Sequence, residues 1–153
     1  MIEQVKKIRF TDSQTLKLLE WAHHLEMTSL TQGTGLLRRL KDSNEQYCCL
    51  GIYVKCVHPT TLWKRRNVKG VYALRSGKIW QPSFLPLKFQ KELGLHRRSI
   101  FNRITLQECF SQLNDHFKYN FLEIAKEIRH LVGHGTFTPE TMKEMGNFYQ
   151  PGA

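Results

Sequence analysis

The chain has 153 residues, 41% hydrophobic and 24% charged, proportions that fit one globular domain with a single core and exclude wholesale disorder. No apolar run approaches the roughly 18 residues of a membrane span, and the opening MIEQVKKIRF lacks the apolar stretch of a secretion signal, so a soluble, intracellular protein is expected. The formal charge is +10, which points to a polyanionic partner: nucleic acid, a nucleotide or an anionic membrane face.

In chain order, FTDSQTLKLLEWAHHLEM opens a helix capped by Thr11, Asp12 or Ser13. Leu16, Leu19, Ala22 (with Trp21 beside it) and Leu25 recur at helical spacing. TSLTQGTGLLRRL is a glycine-containing turn leading into an extended piece, and KDSNEQ is polar and turn-like. YCCLGIYVKCV fits a buried strand and a short buried helix equally well, and His58-Pro59 ends it. From Val68 to Gln81 the pattern is a hairpin around Ser76-Gly77, with Val71, Ala73 and Ile79 inward. SFLPLKFQKELGL is a helix with Pro86 near its first position and Gly94 at its end. Thr105 and Glu108 form a capping box for a helix to about Leu113. Asn120 caps another, with Phe121, Ile124, Ala125 and Ile128 on one face and Gly133 as its stop. Thr138-Pro139-Glu140 begins a last short helix that Gly146 closes. No repeat, low-complexity tract or linker divides residues 1–153. The expected fold class is α+β: a single small domain, helix-rich, with a short antiparallel hairpin or sheet, and residues 146–153 as a loose tail.

Several of these segments together resemble a group of small, mostly uncharacterised bacteriophage proteins. The shared pattern is the TQGTGLL turn, the YCCLGIYVKC core segment, the LPLKFQKELGL helix, and LND followed by FLEIAKEI, spanning Thr31 to Ile128. The chain departs from it at Lys55, at Phe89, and at Phe117-Lys118-Tyr119 in the LND spacer. The resemblance implies a phage origin, and hence the cytoplasm of a host bacterium, but carries no established reaction.

The vicinal Cys48-Cys49, with Cys56, His58 and Cys109, lack the paired spacing of a zinc site. A vicinal disulfide would be strained, so packing is the better account of these thiols. His130 and His134 are four apart, but no glutamate follows His130, and Gly133 is expected to stop the helix first. His23-His24 read as partly exposed neighbours of Trp21. Asn114-Asp115-His116 is a candidate acid/base group, set against the commoner use of Asn and Asp to end a helix by local hydrogen bonds. Gly33-Thr34-Gly35 reads as a turn, with phosphate contact by its N–H groups as the alternative. No metal, cofactor or catalytic set is assigned.

The basic segment is the stronger signal. Residues 60–103 hold eleven Lys and Arg against one acid, Glu92, while the remainder has twelve of each sign. Aromatic residues sit among the charges: Trp63, Tyr72, Trp80 and Phe101. The expected anion or nucleotide site is Lys64, Arg65, Arg66, Lys69, Arg75, Lys78, Trp80, Arg97, Arg98 and Arg103, since guanidinium forks pair with phosphate and aromatic faces stack on bases. The bland alternative is that Trp63, Tyr72 and Trp80 simply face inward from the hairpin. No amphipathic basic helix favours a membrane surface. Three readings follow: non-enzymatic capture of a phosphate-bearing small molecule, in a pocket within one chain or shared in a homo-oligomer, as in a phage protein sequestering a host defence nucleotide; binding of DNA or RNA in a regulatory role; and a phosphodiester hydrolase using His116, Asp115 or His130.

Overall fold

A computed structural model describes residues 6–66, 70–101 and 103–149. Helix α1, Asp12–Met27, begins at Thr11, whose side chain accepts from the Gln14 N–H while the Gln14 side chain accepts from the Thr11 N–H. That reciprocal cap fixes the start of the helix. Its buried stripe is Leu18, Trp21, Ala22 and Leu25; Leu16, expected inside, is exposed. The stripe packs against α5, Phe121–His134, and secondarily against α3, Leu87–Leu93.

Two small sheets flank this helical layer. In the first, β3 (Asn44–Tyr47) lies between β1 (Thr31–Gln32), which is parallel to it, and β2 (Arg38–Lys41), which is antiparallel. Asp42 and Ser43 both have positive φ and form the two-residue hairpin turn between β2 and β3. Of the polar KDSNEQ stretch only Asp42-Ser43 is turn: Lys41 ends β2 and Asn44 begins β3. In the second sheet, β4 (Lys64–Arg65), β5 (Tyr72–Ser76) and β6 (Ile79–Gln81) are antiparallel in that order. A bridge between Arg39 and Val71, with the Leu40 N–H donating to the Gly70 carbonyl at 2.8 Å, joins the sheets. The hairpin at Ser76-Gly77 is present as expected, but its buried residues are Ala73 and Leu74, and Ile79 points to solvent. Val68 lies outside the described residues.

The ambiguous cysteine segment is helical: α2, Cys49–Ile52, runs into a π-helical turn at Tyr53–Val57. Cys48, Cys49 and Cys109 are buried in the core, and Cys56 is half-buried. Burial raises the Cys48 thiol to about 12 and the Cys49 thiol well above its ordinary range. Neither is a thiolate at neutral pH.

Helix α4, Leu106–Asp115, has the expected Thr105–Glu108 capping box, and α5 has its equivalent in Asn120 and Glu123. Helix α5 does not stop at Gly133. It continues through His134 and ends where Gly135 takes the left-handed conformation (φ 76°) that favours glycine. Helix α6, Pro139–Phe148, likewise runs past Gly146, and Tyr149 beyond it is half-buried against Phe101. The segment expected to be loose is thus helical to Phe148; residues 150–153 lie outside the described residues. The molecule is a single small α+β domain whose core gathers Trp21, Tyr53, Phe110 and Ile128 with the buried cysteines. No helix among the described residues is long and apolar enough to cross a membrane.

Candidate functional site

The motifs that span the sequence meet in one buried knot. Asn114, at the end of α4, accepts from the Gln32 side chain (2.8 Å) and the Cys49 N–H (3.1 Å), and donates to the Gly33 carbonyl (2.8 Å). Asp115 accepts from the Gly35 N–H at 3.0 Å and from Asn114 at 2.8 Å. The helix-ending polar pair therefore bonds across the fold as well as locally, where Asp115 accepts from Asn114 and from the Ser111 hydroxyl. The Gly33 N–H donates to the Tyr47 carbonyl, and the Asp115 carboxylate lies against the Gly35 N–H, an arrangement that repels phosphate. The knot holds the TQGTG turn, the cysteine segment and the LND corner together.

His130 and His134 stack at 4.3 Å with Nδ1 of His130 bonded to the Thr136 carbonyl, and His116 packs beside Phe117 and Phe148. These side chains and Asp115 do not form one site. No group of three or more His, Cys, Asp or Glu side chains among the described residues is arranged to hold a metal ion.

The second sheet carries part of the basic segment. Antiparallel partners share a face, so Lys64 (opposite Ala73), Arg75 and Trp80 (opposite each other) lie on one side of the β4–β5–β6 sheet. Lys64 Nζ stands 5.3 Å over the Trp80 ring, and the Arg66 guanidinium donates to the Trp80 carbonyl. Arg75 Nε donates to the Gly77 carbonyl. Arg65 falls on the opposite face, against Tyr72. Lys78 is exposed in the hairpin turn, and Lys69 lies outside the described residues.

Arg97, Arg98 and Arg103 are elsewhere. They follow the C-terminal end of α3, about 10 Å along that helix from its start, and Arg97 donates to the Arg9 carbonyl and lies over Phe10. Trp63 and Tyr72 are occupied within the protein. With Tyr47 they surround the Arg38 guanidinium at 5.4, 4.0 and 5.8 Å respectively, and Glu45 pairs with the same arginine. Arg38 Nε is buried without a hydrogen-bond partner among the described residues; aromatic faces take the place of an acceptor.

Trp80 and Arg75 instead line an open cleft of about 510 Å³ between this sheet, the 58–62 segment and the start of α3. Its aromatic walls are Trp80, Phe89 and His58, its cations Arg75 and Lys88, and its hydroxyls Thr60 and Thr61; none of its lining residues is acidic. A second recess of about 400 Å³ lies between the N-terminal segment and the last turn of α5. That helix end carries partial negative charge, which disfavours anions despite Lys7 and Arg9.

Glu92, the lone acid of the basic segment, sits behind the cleft. Its Oε1 accepts from the Tyr53 hydroxyl and lies 2.5 Å from His58 Nε2. Burial alone would raise the Glu92 carboxyl, but hydrogen bonds from Tyr53 and His58 hold it below its ordinary value. The His58 ring stacks on Phe89 at 4.4 Å and 20°, which fixes its plane. The π-helical turn supplies the register. Residues five apart on an α-helix point about 140° away from each other, whereas here Tyr53 and His58 both reach Glu92.

His58, Lys88 and Phe89 were absent from the set expected from sequence. The available signal was Glu92 itself, a single acid among eleven bases that needs a specific reason to be there. Comparison with protein-family models, with curated proteins and with solved structures finds no match to this chain.

Proposed function

We propose that the cleft between the second sheet and α3 holds a small phosphate-bearing anion, a nucleotide in particular. The observation that supports this is the lining: two cations, two hydroxyls and three aromatic rings, with no acid among them. Arg75 and Lys88 supply the charge for phosphate, while the half-buried Trp80 offers a face on which a base can stack. Its volume lies within the range of small-ligand sites, about 300–1,000 Å³. Given the resemblance to phage proteins, sequestration of a host defence nucleotide is the biological role we infer.

The test is a mass-spectrometric inventory of small molecules released by heat from the purified protein, followed by titration of the species found. Replacing both Arg75 and Lys88 by alanine is expected to weaken binding by about 3 kcal/mol, roughly a hundredfold in Kd, with the melting temperature unchanged because both side chains are exposed. Nucleotide affinity that survives the double substitution would exclude this cleft as the site.

A further inference from the structure

Resting on the reading of the cleft as a nucleotide site, we propose that His58 is a general base there and that the bond it attacks is a phosphoanhydride. Glu92 is ionised and accepts at His58 Nε2. The neutral imidazole therefore carries its proton on Nε2 and keeps a lone pair on Nδ1, the carboxylate fixing tautomer and orientation together. Nδ1 has no protein partner among the described residues, and the ring forms part of the cleft wall. The charged or titratable groups around it are Tyr53 on the π-helical turn, Glu92 and Lys88 on α3, and Arg75 across the cleft on β5.

The site offers one base and no second imidazole or carboxylic acid among its lining residues. That asymmetry selects the substrate. Cleaving a phosphodiester expels an alkoxide, which needs an acid beside the leaving oxygen. Cleaving a P–O–P bond expels a phosphate, which departs as an anion and asks only for positive charge. Arg75 and Lys88 provide that charge. In the step, a water oxygen bonds to phosphorus, the bridging P–O bond breaks with its electron pair on the departing phosphate, and the water proton passes to His58 Nδ1 and then to solvent. No electron acceptor or donor is involved. Nucleoside di- and triphosphates and dinucleoside pyrophosphates are the substrate class.

The experiment incubates full-length protein with ATP, ADP and NAD, follows products by anion-exchange chromatography, and measures binding of the same nucleotides by equilibrium dialysis. Turnover is expected for at least one of them. It should fall about a hundredfold or more in His58→Ala while binding persists. Glu92→Gln, which keeps the shape of the side chain, serves if His58→Ala does not fold. Glu92 is a positioning residue, so its loss should lower kcat while KM and nucleotide binding stay as in the wild type, because the imidazole loses the carboxylate that orients it. Nucleotide that binds and is recovered intact overturns the hydrolytic role and leaves the binding site standing. So does turnover that is unchanged in either variant. If no nucleotide binds the wild-type protein, the cleft reading itself fails, and this assignment falls with it.

Discussion

Glycine 51 shows how tightly the core segment is specified. A Cβ there would lie 1.9 Å from the Leu37 carbonyl oxygen, which is backbone and cannot swing away. Gly51→Ala is therefore expected to destabilise the fold by roughly 3 kcal/mol. Gly133, in the middle of the last turns of α5, has open space around the same position, so Gly133→Ala should stabilise by about 0.5–1 kcal/mol. Urea denaturation of the two variants beside the wild type checks both signs at once. From sequence, Gly133 looked like a stop and Gly51 like one letter of a motif. The distinction lies in what faces each α-carbon, and composition does not contain that. The cysteines were legible because burial suits their small apolar side chains, whereas the long-range bonds of Asn114 depend on a loop some 80 residues away along the chain.

Elements defined by their own residues were readable, and those defined by their neighbours were not. The capping box at Thr105, the Asn120 cap, and the Pro86 and Gly94 limits of α3 are local chemistry and stand where the sequence places them. The inward face of α1 is set instead by α5 and α3, and so falls on Leu18 rather than Leu16. Ion pairs between elements give a pH signature. Arg129 holds Glu26 bidentately at 2.6 and 2.8 Å, tying α5 to α1, and its hydrogen bond keeps that carboxyl below the ordinary 4.5. Arg38 does the same for Glu45, linking β2 to β3. Folded-state values below the unfolded ones mean stability that is present above pH 4.5 and lost as pH falls through the folded values. The urea midpoint should accordingly drop between pH 5 and pH 3. Glu26→Gln should reduce that drop only slightly, because the pair is largely exposed. A midpoint flat across that range would show that these pairings do not couple to folding.

For the whole molecule the charge count was legible and its geometry was not. An excess confined to residues 60–103 suggested one continuous cationic surface. Instead Arg65 faces away, Arg97 is bound to the N-terminal segment, and the cations lining the cleft are Arg75 and Lys88. Two charges at a recess favour a small ligand over a long polymer. The logarithm of the nucleotide association constant should vary shallowly with the logarithm of salt, against roughly −5 for a duplex engaging six phosphates; tryptophan fluorescence titrations at several ionic strengths would separate the two. The cleft also depends on helix winding. The π-helical turn at Tyr53–Val57 accommodates more chain per revolution than an α-helix does. Deleting one residue there would restore ordinary winding and carry His58 about 100° around the axis, away from Glu92. The core could keep its packing, yet the imidazole would lose its carboxylate. The His58–Glu92 contact is thus tied to an inserted length of backbone as much as to any side chain.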